Sequence, residues 1–247
     1  MELRICHLYN DVLNLYGDRG NIICLQKRLH WRGIDGSLTK LPLGSTESLA
    51  PFDLVFIGGG MEFDTQLLSQ DLRSGRAREL RAAVEDGVSF LAVCSGYQLL
   101  GSYCQDAKGE KTAMAGAVDM YTEAGGSRMT GNYVFTLGEK SGGHQIVGFE
   151  NHLGRTWLSF GLEPLGTTST GHGNNGRDCG EGLRYKNVFG TYSYGPVLPK
   201  NPALCDHILL TALERRYGKV SLEPLDDGVE QAAHSAIAEK IQRTENS

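Results

Sequence analysis

The chain has 247 residues, 40% of them hydrophobic, and a formal net charge of −5. This length can form one large core or a domain with substantial insertions, and we favour a single domain. Its 24 lysines and arginines are scattered, which excludes the basic patch of a nucleic-acid-binding protein. The sequence lacks a secretory signal, an apolar run of roughly 18 residues and closely paired cysteines. We therefore expect a cytoplasmic protein with reduced thiols, no integral membrane segment and no metal site.

The first hundred residues alternate between apolar strands and helix-like segments. Residues 3–9 predict a strand and residues 20–31 a helix, and residues 53–57 form an apolar run that ends in three glycines. A charged helical stretch over residues 71–85 leads to another apolar run at 88–93. This alternation predicts an α/β fold with a central, mostly parallel sheet and helices on both faces.

The second half has a different pattern. Short strand-like runs at 117–121, 133–137 and 146–149 are separated by glycine pairs and predict a more antiparallel arrangement. Residues 171–182 form a loop rich in glycine and asparagine, where functional residues often lie. Residues 188–192 then predict a return to an apolar strand.

The C-terminal part has helical spacing. A helix is predicted over residues 202–217, and the residues from 226 onward form a polar helical stretch. We therefore divide the chain into a main domain, residues 1–218, and a C-terminal polar helical tail, residues 219–247.

The most informative feature is a cysteine at the junction between a predicted strand and a predicted helix. The strand at 88–93 runs directly into Cys94-Ser95-Gly96-Tyr97-Gln98. A strand-to-helix turn lifts the cysteine sulfur clear of the sheet, and Gly96 leaves room for the turn. The first N–H groups of the helix can favour a thiolate and donate to an oxyanion. Cys94 is therefore predicted to be a nucleophile, whereas an inert buried cysteine is the simpler alternative.

A cysteine nucleophile also needs donors for the developing oxyanion. The glycines at 58–60 end a predicted neighbouring strand, where bare backbone can approach a substrate carbonyl. Taken alone, these glycines also fit a plain turn. Beside the elbow, they predict that the N–H groups of Gly60 and Ser95 are the oxyanion donors.

Three motifs together resemble class I glutamine amidotransferases of the cobyric acid synthase type. They are the glycine run at 58–60, the Cys-x-Gly-x-Gln elbow at 94–98 and the late segment at 190–196. Within this family, three segments are most similar to the glutaminase subunits of lipid II isoglutaminyl synthases: residues 7–21, 148–152 and 171–176. Together these motifs are specific, whereas each glycine-rich piece alone is weak.

The resemblance implies a flavodoxin-like α/β fold that hydrolyses L-glutamine to glutamate and ammonia. Cys94 would attack the side-chain amide and form a thioester that water releases. The resemblance also implies a heterodimer with a MurT-type Mur ligase subunit, which binds ATP and Mg²⁺ and amidates D-glutamate in the lipid II stem peptide. This sequence has no Gly-x4-Gly-Lys-Ser/Thr phosphate loop, so no cofactor is expected in this chain.

One residue departs from the family pattern. The family reads Gly-Thr-Tyr-x-His-Gly, with the histidine as general base, and this sequence has Tyr194 there. A phenol, with an ordinary pKa of about 10, cannot readily take a thiol proton at neutral pH and return it to a leaving amine. Tyr194 therefore predicts an inactivated or impaired glutaminase. Pro196 stands where common class I enzymes have a glutamate, and the resemblance implies an acidic residue from the ligase instead.

Further site residues follow from the resemblance. Arg128 corresponds to the arginine that binds the glutamine carboxylate, although a solvated surface arginine is the alternative. Gln98 lies one helical turn past Cys94 and is expected to line the pocket. His152 and His172 lie in family-like motifs on the predicted substrate side, as substrate-binding residues or substitute bases, unless they are simply polar loop residues.

The sequence leaves two other functions open. One is the glutaminase of cobyrinate or cobyric acid amidation, whose proteins usually carry an N-terminal synthetase domain. The other is a non-catalytic subunit that binds glutamine or stabilises the ligase, with Tyr194 as its signature.

Overall fold

The computed structural model of the chain describes residues 1–15, 17–60 and 64–245. Tyr16, in the segment at 7–21, and the last two residues of the predicted tail lie outside the described residues.

The elements follow one another in chain order. The strands are β1 Glu2–Leu8, β2 Asp35–Leu41, β3 Leu54–Ile57, β4 Ser89–Val93, β5 Tyr103–Gln105, β6 Lys111–Ala113, β7 Met120–Leu137, β8 Gln145–Leu158, β9 Gly166–Thr168, β10 Gly180–Glu181, β11 Leu183–Tyr185 and β12 Val188–Thr191. The helices are α1 Arg19–His30, α2 Asp64–Asp71, α3 Ala77–Glu85, α4 Ser95–Leu99, α5 Val197–Lys200, α6 Pro202–Tyr217 and α7 Gly228–Glu245. A π-helical turn, Leu72–Arg76, joins α2 to α3.

The first sheet is mostly parallel, as predicted. Its strand order is β11-β12-β4-β3-β1-β2, and only the β11–β12 pair is antiparallel among its described pairings. Every residue of β3 and β4 is buried, which explains why both strands read as unbroken apolar runs. Residues Ile57 and Ala92 are paired, and so are Val93 and Thr191. The segments that follow β3, β4 and β12 therefore meet at one edge of the sheet.

The second sheet is mostly antiparallel, but its strands differ from the prediction. Its order is β10-β9-β7-β5-β6, with β8 paired to β7, and the β5–β7 pair is parallel. The short runs predicted at 117–121, 133–137 and 146–149 were wrong in extent, because β7 and β8 form one long antiparallel hairpin. A register shift between Ala124 and Met129 lets the polar, glycine-rich stretch stay within β7.

The C-terminal helix α7 packs against this hairpin. Its buried residues Ala238 and Ile241 cluster with Val134 of β7 and Val147 of β8. An ion pair between Arg28 of α1 and Asp227, at 2.6 Å, fixes the segment before α7. The predicted helical tail is thus present and in contact with the main domain, whereas the boundary at residue 218 stays a prediction.

In the part of the chain that the structure describes, no helix combines the length and the apolar character needed to cross a membrane.

Candidate active site

The structure places Cys94 in a sharp turn between β4 and α4. Its backbone has φ 49° and ψ −107°, a conformation that non-glycine residues rarely adopt. The N–H of Gly96 donates to the carbonyl oxygen of Gly58 at 3.1 Å. A Cβ atom on Gly96 would lie 2.5 Å from the carbonyl oxygen of Ile57, so only glycine fits this close approach. The strand, the strained cysteine and the glycine together have the geometry of the predicted nucleophile elbow.

The Cys94 thiol is buried, with 5% of the residue exposed. Burial raises the pKa of Cys94 to about 12, and hydrogen bonds from Tyr194 and Ser95 only partly offset this effect. The expectation that the helix N-terminus keeps Cys94 as a thiolate is therefore wrong. Desolvation outweighs the dipole of a helix that is only five residues long.

Tyr194 lies directly against the nucleophile. Its hydroxyl donates a hydrogen bond to the sulfur of Cys94, and the residue is 2% exposed. Its backbone N–H donates to the carbonyl oxygen of Phe149 at 2.7 Å, and its carbonyl oxygen accepts from Lys200 Nζ at 2.9 Å. Residue 194 thus occupies the position from which a general base would act on the thiol.

The three glycines after β3 form the turn that faces the elbow. The N–H of Gly59 donates to Asp18 Oδ2 at 2.6 Å, so Gly59 is not available as an oxyanion donor. The carbonyl oxygen of Gly60 accepts from Ser95 Oγ at 3.1 Å, which links this turn to the elbow. A hydrogen bond from the Ser95 N–H to the Cys94 sulfur lowers the pKa of this thiol. This arrangement is compatible with Gly60 and Ser95 as the predicted oxyanion donors.

Gln98 and His152 both contact Tyr192. Gln98 Nε2 donates to the Tyr192 hydroxyl at 3.0 Å. The rings of His152 and Tyr192 are stacked, with centroids 3.6 Å apart. Two residues predicted to lie in the pocket, Gln98 and His152, thus meet at Tyr192, which is two positions before Tyr194 in the chain.

Glu150 connects the two candidate histidines. Its carboxylate lies 3.8 Å from His152 Nε2 and 2.7 Å from His172 Nδ1. His152 is buried, and its Nδ1 also lies 2.8 Å from the carbonyl oxygen of Gly154. These contacts hold both rings beside Glu150 of β8, with His172 in the loop between β9 and β10. The residue that contacts the thiol is Tyr194.

Arg128 lies on the exposed part of the β7–β8 hairpin. Its Nη1 donates to Asn151 Oδ1 at 3.2 Å. The neighbouring pair Met129 and His152 shows that Arg128 is close to the strand that carries His152. A guanidinium on this exposed part of the hairpin suits a carboxylate ligand. The role of Arg128 in binding glutamine stays a prediction.

Sequence reasoning missed two charged residues beside the site, Asp18 and Lys200. Burial raises the pKa of Asp18 to about 7, and burial lowers the pKa of Lys200 to about 8. A signal for Asp18 was present, because it lies in the loop that leaves the carboxyl end of a parallel strand. Within residues 1–15, 17–60 and 64–245, no group of three or more His, Cys, Asp or Glu residues is arranged to hold a metal ion.

Comparison with known proteins gives consistent results. The CobB/CobQ-like glutamine amidotransferase domain matches residues 4–202. The lipid II isoglutaminyl synthase (glutamine-hydrolyzing) subunit GatD of Staphylococcus aureus is 37% identical over 246 residues, which cover 100% of this chain and 99% of that protein. GatD of Streptococcus pneumoniae is 35% identical and covers 93% of this chain and 88% of its own length. A cobyric acid synthase of Pelotomaculum thermopropionicum is 30% identical over 88% of this chain, but the match covers 41% of the synthase.

Solved structures share the fold at low sequence identity. A chain in the structure of PurLQS from Thermotoga maritima has a TM-score of 0.57 and 16% identity, and covers 87% of this chain and 99% of its own. The glutaminase domain of Trypanosoma brucei CTPS has a TM-score of 0.53 and 12% identity, with coverages of 90% and 96%. These likenesses confirm the predicted α/β fold.

Proposed function

The chain belongs to the CobB/CobQ-like glutamine amidotransferase family, and on that premise we propose that it is the glutaminase subunit of a lipid II isoglutaminyl synthase. The observation that carries this proposal is the strained Cys94 elbow with residue 194 in contact with its thiol. The similarity to two GatD subunits over almost the whole chain supports the choice of lipid II amidation. The resemblance inferred from the motifs is thereby confirmed.

The geometry supports acyl transfer through the cysteine. The Cys94 sulfur attacks the carbon of the glutamine side-chain amide, and the N–H groups of Gly60 and Ser95 stabilise the oxyanion. The carbon–nitrogen bond breaks, the nitrogen leaves as ammonia with a proton, and water then hydrolyses the thioester to glutamate. One group must take the thiol proton and return it to the leaving nitrogen. Tyr194 holds that position, and its phenol makes hydrolysis slow.

The partner of this subunit is a MurT-type Mur ligase that binds ATP and Mg²⁺. The ligase activates the D-glutamate carboxylate of the lipid II stem peptide, and ammonia from glutamine gives D-isoglutamine. A cytoplasmic location belongs to the same proposal, because all six cysteines of the chain are free thiols.

The partner proposal is tested by co-expression of this chain with a MurT-type ligase. Light scattering of the purified mixture should give the mass of a one-to-one heterodimer at micromolar concentration. Separate species at that concentration would contradict the proposal.

The transfer step is tested in the same complex with glutamine carrying ¹⁵N in its side-chain amide. With ATP, Mg²⁺ and lipid II, mass spectrometry should detect ¹⁵N in the stem peptide at a low rate, and Cys94→Ala should abolish it. Incorporation of ¹⁵N that persists in Cys94→Ala would show that Cys94 is not the residue that releases ammonia from glutamine.

Tyr194 favours one second candidate, a subunit that binds glutamine without hydrolysing it. In that case the complex would amidate lipid II with added ammonium but not with glutamine, both before and after Tyr194→His. The cobyric acid alternative has less support, since the cobyric acid synthase match is less identical and covers under half of that synthase.

A further inference from the structure

Two cysteine thiols meet between helices α1 and α6. Cys24 of α1 and Cys205 of α6 are 181 positions apart in the chain, and their sulfur atoms share a hydrogen bond at 3.7 Å. Cys205 is fully buried, whereas Cys24 is half-buried. An approach of about 1.7 Å would bring the sulfurs to the disulfide bond length of about 2.05 Å, a change on the scale of a side-chain rotation. The two thiols are therefore close enough to be joined.

The two helices are held together on both sides of this thiol pair. One turn before Cys24, Asn21 Oδ1 accepts the N–H of Leu198, in the helix that precedes α6, at 2.9 Å. One turn after it, the guanidinium of Arg28 forms an ion pair with Asp206 at 2.6 Å. Arg32 binds the same carboxylate at 2.6 Å. These contacts keep the two sulfurs facing each other, so they do not depend on a chance motion to meet.

The surroundings make the two thiols unequal. The hydrogen bond with Cys205 lowers the pKa of Cys24, and the guanidinium of Arg28 acts in the same direction, against burial and the carboxylates of Asp206 and Asp227. Burial raises the pKa of Cys205. The thiolate is the reactive form of a cysteine. Cys24, which is also the more accessible of the two, is therefore suited to react first, and Cys205 is suited to react with the product.

We propose that Cys24 and Cys205 form a modification site for hydrogen peroxide, a dithiol that closes reversibly into a disulfide and joins α1 to α6. The Cys24 thiolate attacks one peroxide oxygen, the oxygen–oxygen bond breaks, and a sulfenic acid and hydroxide form. The Cys205 sulfur then attacks the Cys24 sulfur, and the sulfur–oxygen bond breaks as water leaves. In total, two thiols lose two electrons and two protons, and one peroxide is reduced to two waters. Disulfides in reducing compartments are usually transient and redox-responsive in this way.

The disulfide would hold together the two chain segments that flank the site around Cys94. Helix α1 directly follows the loop that carries Asp18, and α6 follows the segment that carries Tyr194. A cross-link between positions 181 apart restricts the unfolded chain strongly. Oxidation should therefore stabilise the fold.

The first test treats the purified, reduced full chain with a small molar excess of hydrogen peroxide. The mass should fall by that of two hydrogen atoms, and dithiothreitol should restore it. Trypsin digestion without reductant should give a linked pair of peptides, residues 20–27 and residues 201–215, which contain Cys24 and Cys205. The midpoint of thermal unfolding of the oxidised chain should rise by at least about 5 °C.

Three variants assign the roles of the sulfurs. Cys205→Ala keeps the buried position apolar and should leave Cys24 as a sulfenic acid that dimedone captures. In Cys24→Ser, dimedone should capture Cys205 less than about one-tenth as much, because a buried thiol reacts slowly. Neither variant should show the rise in the unfolding midpoint. Cys179→Ser is the matched control, since it removes an exposed thiol and should leave both the cross-link and the rise intact.

Two results would overturn the proposal. One is oxidation of other cysteines while the peptides 20–27 and 201–215 stay unlinked. The other is a cross-link that leaves the unfolding midpoint unchanged or lowers it, because the disulfide would then not support the packing of α1 on α6. Both measurements read the thiols and the fold, so their outcome is independent of the proposed glutaminase function.

Discussion

The hydroxyl of Tyr194 donates a hydrogen bond to the thiol of Cys94, and this contact lies in a buried site. Two weak acids therefore face each other where the family resemblance implies an acid and a base. Neither group is suited to move a proton at neutral pH. The elbow is built for nucleophilic attack, but the nucleophile is held as a neutral thiol.

This contact predicts how Cys94 reacts with a chloroketone analogue of glutamine. Because burial raises the pKa of Cys94 to about 12, its labelling rate should rise about tenfold per pH unit from about pH 7 to about pH 9. Peptide mapping should find Cys94 modified first, since the oxyanion donors align the analogue with its sulfur. The oxyanion donors do not align iodoacetamide with Cys94, so this reagent should first modify the exposed Cys179.

Two results would contradict this prediction. One is modification of Cys104 or Cys179 by the glutamine analogue ahead of Cys94. The other is a labelling rate that is already constant between about pH 7 and about pH 9, which would mean that the thiolate is favoured after all.

The turn after Cys94 predicts a sharp difference between two glycine substitutions. Gly96→Ala would place a Cβ 2.5 Å from the carbonyl oxygen of Ile57 and 2.8 Å from that of Gly58, which are backbone atoms at the end of β3 and in the turn that follows it. The free energy of unfolding should fall by about 1 to 3 kcal/mol, because overpacking forces the backbone to move. Labelling of Cys94 by the glutamine analogue should also be lost.

Gly126→Ala is the matched control, since a Cβ there meets nothing within 4 Å. Its free energy of unfolding in urea should stay within about 0.5 kcal/mol of the parent. Equal stabilities of the two variants would mean that the elbow is not as tightly packed as described.

Glu181 predicts a pH dependence of stability. It is fully buried, accepts hydrogen bonds from the Thr191 hydroxyl at 2.5 Å and the Tyr192 N–H at 3.0 Å, and so holds the strand that leads to Tyr194. Burial raises its pKa from 4.5 to about 7. Between these values the folded state binds the proton more tightly than the unfolded state, so this contribution is fully present below about pH 4.5 and is lost as the pH rises to about 7.

Glu181→Gln removes this titration. The loss of unfolding free energy between about pH 5 and about pH 8 should shrink by about 3 kcal/mol, at about 1.4 kcal/mol per pKa unit. A residual slope should remain, because the raised pKa of Asp18 acts in the same direction. Glu163→Gln, at an exposed glutamate, should leave the slope unchanged. Identical slopes for the parent and Glu181→Gln would contradict this prediction.

The sequence predicts the first sheet and the elbow well, because local physical chemistry determines both. The strands that carry residues 54–57 and 89–93 are buried on both faces and leave an uninterrupted apolar pattern. The position of residue 194 beside Cys94 followed from the family motif and agrees with the structure. Parallel strands bring these segments together at one edge, so their proximity was predictable too.

Other features depend on contacts that no local pattern records. Strand β7 continues through Gly125 and Arg128, which lie at the register shift, because the pairs Ala124–Gly154 and Met129–His152 on either side hold the two strands together. Asp18 and Gly59 are 41 positions apart, and their hydrogen bond arises only when the loop after β1 reaches the neighbouring strand end. The pKa of Cys94 was mispredicted for the same reason, since burial is a property of the assembled fold.

The central claim, that this chain is a glutaminase whose base position is held by Tyr194, is tested most directly by ammonia release from glutamine. The measurement compares the chain as given, Tyr194→His and Tyr194→His with Cys94→Ala, each with and without the MurT-type ligase. General base catalysis contributes about 10² to 10⁴-fold, so Tyr194→His should raise the rate by that amount, and Cys94→Ala should abolish the gain. A normal rate for the chain as given in the complex, changed less than about tenfold by Tyr194→His, would contradict the claim and make His152 or His172 the next candidate base.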